Sequence, residues 1–166
     1  MPSRSDLCAN ELKVAVRRRA LGPEGQGGRA FVFFEVSIEG RRADAISVDL
    51  WRSRDQLIQG YEIKVSRADW LNELRDPEKA APAVAACDRF WLVTPPDIVR
   101  PGELPETWGH LVLPGPRLRM RVEKRAPKLA PPGPDRDFWM ILMKRAWFEG
   151  APTNPYVPVK EEALSG

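Results

Sequence analysis

The sequence predicts an α/β domain on a mixed sheet, ordered helix, three strands, helix, strand, with C-terminal additions. Three observations predict it. Three apolar, alternating segments between Ala30 and Val65 are separated by short turn-like runs, as in an antiparallel meander. A capped, helix-like run follows them, and an amphipathic one precedes them. The apolar run "RFWLVTP" then reads as a buried strand ended by proline.

Asp6 can cap a first helix over Leu7 to Leu21. Cys8, Leu12, Ala15 and Val16 share its apolar face, and Arg17 to Arg19 lie near its C-terminal end, where cations suit the helix dipole. "GPEGQGG" ends it as a loop. The first strand covers Ala30 to Glu39, with Glu35 on the face of Phe31 and Phe33, and "GRR" turns the chain. The second covers Ala43 to Trp51, with Asp44, Ile46, Val48 and Leu50 on one face, and "RSRDQ" turns it again. The third covers Leu57 to Val65. Ile58, Gly60, Glu62 and Lys64 share one of its faces; Tyr61, Ile63 and Val65 share the other.

Ser66, with Asp69 three residues on, has the pattern of a capping box and opens a helix through Arg75. Asp76 and Pro77 open another, to Ala86, interrupted by Pro82. After the "RFWLVTP" strand, "HLVLPGPRLRMRVEK" reads as two short strands about a Pro-Gly-Pro turn. "APKLAPPGP" is an extended linker, and "DRDFWMILMKRAWF" is a terminal helix, amphipathic or packed all round. Residues 1–129 thus form the main domain, 130–150 a linker and a helix packing on it, and 151–166 a disordered tail.

The chain has 166 residues, enough for one domain with a sizeable core. Its net charge of +3 permits a nucleic-acid partner without demanding one. Basic residues cluster at Lys13 and Arg17 to Arg19, and again from Arg117 to Lys128. Cys8 and Cys87 have no metal-type spacing, and "MPSRSDLCANELK" has no apolar leader segment. Two free thiols in a reducing cytoplasm are the expectation. No apolar run is long enough to span a membrane.

The informative stretch is "YEIKVSRADW". A Glu-x-Lys tripeptide alone has roughly an even chance of occurring in a chain this size, given how common both residues are. Asp44 adds weight, because an acid on the face of Ile46 and Val48 sits where core is expected. If the second and third strands pair, Asp44 can lie near Glu62. Two such carboxylates repel unless a cation stands between them, and Mg2+ or Mn2+ suits hard oxygen ligands. Asp44, Glu62 and the Ile63 carbonyl are the candidate ligands. Lys64, on the face of Glu62, could orient a water or stabilise charge on a phosphodiester.

Asp44 followed by Glu62-x-Lys64, on the second and third strands after a helix, resembles the PD-(D/E)XK nuclease superfamily. The blocks "RRADAISVDLW", "GYEIKVSRADWLNELRDPEKA", "CDRFWLVTPPDIV", "ELPETWGHLVL" and "KRAPKL" resemble the MmcB-like DNA-repair family, with its phage and prophage members. The resemblance spans about Phe31 to Leu129. It implies a restriction-endonuclease-like core, Mg2+-dependent hydrolysis of DNA, and DNA as partner, and it allows a homodimer. The proline usual before the acid is absent; Ala43 stands there, which removes no ligand. By the same resemblance Glu11 or Glu35 completes the site, and the choice stays open. A DNA- or partner-binding module without cleavage, or a phage factor acting by protein contact, is the alternative.

Other residues carry simpler readings. Ser66 is an N-cap that could also meet phosphate, since helix N-termini attract anions. Arg42, Arg67 and Lys79 are candidate nucleic-acid contacts. Asp69 reads as a capping partner and Trp70 as core. Cys87 reads as a buried thiol, and His110, the lone histidine, as structural or exposed. Trp51, Trp91, Trp108, Trp139 and Trp147 read as core or rim packing.

Overall fold

A tight hairpin opens the sheet. In the computed structural model, which describes residues 7–22, 30–117, 119–131 and 133–149, β1 (Ala30–Ile38) and β2 (Arg41–Asp49) pair antiparallel. Glu39 and Gly40 alone join them, with φ of 48° and 75°. Positive φ at both positions matches the strand twist, and glycine supplies it without strain. The turn therefore shares only Gly40 with the expected "GRR" run, and Arg41 and Arg42 belong to β2.

β3 (Ile58–Ile63) pairs antiparallel with β2, ending two residues short of the expected Val65. β4 (Arg89–Thr94) and β5 (Trp108–Val112) add in parallel, and β6 (Arg121–Lys124) pairs antiparallel with β5. The six strands stand in chain order in one mixed sheet. The crossover from β3 to β4 carries α2 (Arg67–Arg75), a 3-10 turn (Pro77–Lys79) and the short α3 (Ala81–Ala85). The run expected from Pro77 to Ala86, interrupted by Pro82, is accordingly divided into the 3-10 turn and α3. Pro82 has no N–H for the Glu78 carbonyl, and its ring would clash there in a continuous helix.

α1 (Ala9–Leu21) begins two residues later than expected, with Cys8 at its N-cap. The Glu11 carboxylate reaches back to the Cys8 N–H at 2.8 Å. Asp6, the expected cap, lies outside the described residues, as does the tail 151–166. α4 (Arg136–Glu149) packs against β1.

Helices cover both faces of the sheet. Leu12, Ala15 and Val16 of α1 pack with Ala45, Tyr61, Trp91, Val93 and Leu111 on one side. On the other, Trp70 of α2, Ala83 of α3, and Phe138 and Leu142 of α4 pack with Phe33, Ile46, Ile58, Phe90, Leu92 and Trp108. β4 is apolar at consecutive positions because both of its faces are buried. The expected division of β3 holds: Ile58 faces the α2 side, and Tyr61 and Ile63 face α1.

Candidate active site

β1 and β2 both switch faces at one point. Phe33 and Val36, three residues apart, lie in the same core, and so do Ala43 and Ile46 of β2. A strictly alternating strand cannot do this. Glu35 has φ of 53°, and the ladder skips from Phe34–Ala45 to Val36–Ala43, so Glu35 and Asp44 stand opposite each other at the kink. The expected sharing of a face by Glu35, Phe31 and Phe33 fails there. The kink is held by Arg145 of α4, whose guanidinium donates to the Phe34 carbonyl at 2.5 Å.

Next to this kink the β2–β3 ladder parts. Its last pair is Ala45–Tyr61, so the next would be Asp44 with Glu62. Instead of a backbone carbonyl, the Asp44 Oδ2 takes the Ile63 N–H, at 2.7 Å. A residue's carbonyl lies on the same strand edge as its N–H, so the Ile63 carbonyl shares the Asp44 side. On its other edge β3 stays paired, with the Lys64 N–H donating to the Val93 carbonyl at 3.0 Å.

Glu62 points toward α2 and is 6% exposed. Its Oε1 lies 2.6 Å from the Lys64 Nζ. The Lys64 Nζ is also 2.8 Å from the Oε2 of Glu73, a buried acid on the inner face of α2. Lys79 approaches the same oxygen at 3.5 Å from the exposed side. Burial pushes Glu62 up to about 7, and the Asp44 charge adds to this despite the neighbouring lysine. Burial likewise pushes Asp44 up, against the Ile63 N–H and the Lys64 charge. Desolvation works against the Lys64 ammonium, but Glu62 and Glu73 outweigh it and hold it protonated. A cavity of about 320 Å3, lined among others by Ala9, Ile63, Lys64, Glu73 and Lys79 but by neither Asp44 nor Glu62, opens beside Lys64 and Glu73.

The two candidate third acids separate. Glu35 stands beside Asp44, with its carboxylate 2.6 Å from Lys13 and 3.5 Å from Arg42. The Lys13 hydrogen bond holds it below the usual carboxylate range. Glu11 caps α1 and lines a different cavity, of about 210 Å3, with Val14 and Arg18. Helical phase explains this: Lys13 is one turn from Ala9 and shares its side, whereas Glu11 is rotated by roughly 200°. Among the described residues no group of three or more His, Cys, Asp or Glu gathers as a metal cage.

Ser66 caps α2 as its sequence suggests, accepting from the Asp69 N–H at 3.1 Å and donating to the Asp69 carboxylate at 2.8 Å. Arg67 forks onto Glu103 and donates to the Ile98 carbonyl at 2.8 Å. This ties α2 to the loop after β4, so Arg67 is a structural partner rather than a projecting contact. Trp70 is fully buried and donates to Glu103 at 3.2 Å. His110 faces the Thr94 hydroxyl at 2.9 Å, and Cys87 is buried, its thiol pushed up by burial. Arg42 and Lys79 are exposed. Of the tryptophans, Trp91 and Trp108 are core, but Trp51, Trp139 and Trp147 are exposed.

Sequence reading missed Glu73 and Lys13. Glu73 sits three residues after Trp70, on the same helix face, which was its available signal. Lys13 looked like one more cation of the α1 run.

No family model and no curated protein matches the chain. A solved structure of SPO1766 from Silicibacter pomeroyi, a protein of unknown function, matches with a TM-score of 0.56 and 21% identity. The match covers 87% of this chain and 88% of that one. At that identity the likeness speaks for a shared fold alone: this chain is an α/β protein with a six-stranded mixed sheet between helices.

Proposed function

We propose that the protein is a divalent-metal-dependent nuclease acting on DNA, with the restriction-endonuclease-like core and MmcB-like kinship that its motifs resemble. One observation carries this reading: Asp44 and Glu62 stand opposite each other where the β2–β3 ladder parts, with Lys64 on the Glu62 face. The donor set fits Mg2+ or Mn2+. Two hard-oxygen carboxylates, Glu62 buried and Asp44 half-buried, lie near enough for the Asp44 charge to act on Glu62; each is held above its usual pKa, and a cation relieves that cost. A bound divalent ion supplies charge neutralisation at a phosphodiester and a water of lowered pKa.

The chain's own residues do the rest. Asp44 and Glu62, with the Ile63 carbonyl, hold the ion. Lys64 keeps its proton, so it serves as a cation and hydrogen-bond donor to phosphoryl oxygens, not as a base. Glu73 fixes the Lys64 ammonium from the α2 side, and Glu35 with Lys13 sets the charge behind Asp44. The free thiols Cys8 and Cys87 suit a reducing bacterial or infected-host cytoplasm.

A binding module of the same fold is the second reading. It is favoured by the closed chain Glu62–Lys64–Glu73, which balances charge with groups of the protein itself. A nuclease assay with Mg2+ or Mn2+ on linear, flapped and four-way DNA, run beside calorimetric metal titration, separates the two. The nuclease reading expects cleavage that falls about 10²–10³-fold in Lys64→Ala with the ion still bound, and loss of both ion and cleavage in Glu62→Ala. DNA binding with neither metal uptake nor cleavage would establish the module instead.

A further inference from the structure

The outer face of α4 is apolar as well as the inner. Phe138 and Leu142 turn into the core, while Trp139, Met140, Met143, Trp147 and Phe148 are 40, 45, 63, 81 and 74% exposed. At about 100° per residue, Trp139, Met140, Met143 and Trp147 fall within one arc of roughly 100° opposite the buried stripe. Met140, Met143 and Trp147 have the i, i+3, i+7 spacing of a helix-pairing seam. The helix is anchored, since Phe138 and Leu142 are core and Arg145 bonds β1, so this stripe is held out as a fixed surface.

We propose that α4 is a homodimer interface, pairing antiparallel with α4 of a second copy about a two-fold axis near Met143. The stripe is self-complementary about that residue. Trp139 and Trp147 flank Met143 by four positions each, so an antiparallel partner sets Trp139 against the partner's Trp147 twice and Met143 against its own copy. Such pairing joins aromatic rings, fills the centre with adaptable methionine and opposes the helix dipoles favourably. The area fits a weak, concentration-dependent dimer. Side chains of this size offer roughly 150–250 Å2 each, so the exposed fractions of the four stripe residues amount to roughly 450 Å2 per copy. Two copies together bury roughly 900 Å2, the range of transient interfaces. A contiguous apolar patch of this size is often functional. The inference is independent of the proposed nuclease activity.

Light scattering and analytical ultracentrifugation of the full chain test it. The expected result is a species of twice the 18.8 kDa chain mass, converted to monomer by Met143→Arg and by Trp147→Glu. Circular dichroism and melting of the variants should stay unchanged, because both side chains are exposed. A wild-type monomer at all concentrations, or a dimer indifferent to both substitutions, overturns the proposal. So does a wild-type monomer that dimerises only once residues 150–166 are removed, which would assign the stripe to the chain's own tail. A monomer that co-sediments with anionic lipid vesicles overturns it in favour of a membrane surface.

Discussion

Glu62 carries a pH signature that can be read without any activity. Its ordinary value is 4.5, and in the fold it stands at about 7. Between these values the folded state binds a proton that the unfolded state has released. The Glu62 contribution therefore makes stability fall as pH rises from about 4.5 to about 7. His110 acts in the opposite sense in part of this window, since burial holds its pKa below 6.5. Comparing wild type with Glu62→Gln isolates the glutamate: the variant should lose the downward component of the melting-temperature profile. If the proposed site holds Mg2+, the ion should flatten the wild-type profile in the same way, by favouring the ionised carboxylate, and should leave the variant's unchanged. Melting curves from pH 5 to 7.5, with and without the ion, check both. An unchanged wild-type profile in Mg2+ would count against metal binding at this position. Asp44, Glu62 and Lys64 were legible in the sequence because charge at strand positions that should be core is unusual. Glu73 was not, because a lone acid on a helix reads as solvated until the helix's rotation is known.

At the level of elements, α2 ties the charged cluster to the core. Glu73 is 5% exposed and accepts from Lys64, with Lys79 beyond it. Replacing it by alanine removes one of the two partners of the Lys64 ammonium and leaves only Glu62, and the expected loss is about 1–3 kcal/mol in urea unfolding. Ser66→Ala removes the cap of the same helix and should cost about 1 kcal/mol. Two strand glycines have tighter limits. A Cβ at Gly60 would meet Phe90 ring carbons at 2.6 and 2.8 Å, and one at Gly109 would meet the Trp91 ring at 2.4 Å and the Ala126 backbone nitrogen at 2.6 Å. Gly60→Ala should cost about 1–3 kcal/mol from overpacking. Gly109→Ala should cost more, because backbone yields less than a ring. Denaturant midpoints would reveal the ranking. Periodicity made the strands and α1 legible. The sequence also marked the interruption at Pro82, but periodicity could not see that β1 and β2 would both change face at Glu35 and Asp44, since that depends on pairing between strands.

On the scale of the molecule, two basic runs far apart in the chain meet. Arg18 of α1 donates to the Arg117 carbonyl at 3.4 Å, across 99 residues of sequence. This brings the α1 cations beside those of the β5–β6 connection on one side of the protein. If this side tracks a nucleic-acid backbone, Arg18→Glu should weaken binding to duplexes of unrelated sequence about equally and lower the salt slope by about 1. Fluorescence anisotropy across a salt series measures it; a loss confined to one sequence would refute backbone contact. α4 adds the second large-scale feature, an apolar surface that its mixed sequence had left unresolved between amphipathic and fully packed. No helix among the described residues is long and apolar enough to cross a membrane.

Local patterning by itself determined the α/β class, the meander, the Ser66 cap and the alternation that sets Glu62 and Lys64 on one face. Each follows from residues within a few positions of one another, where strand and helix periods act directly. Only the tertiary structure decided which acid stands beside Asp44, that Glu73 reaches Lys64, and that the Ile63 N–H meets a carboxylate instead of a strand. These depend on where β2 and β3 cease to pair and on how α1 and α2 are rotated over the sheet. Packing sets those angles, and no short stretch of sequence encodes them.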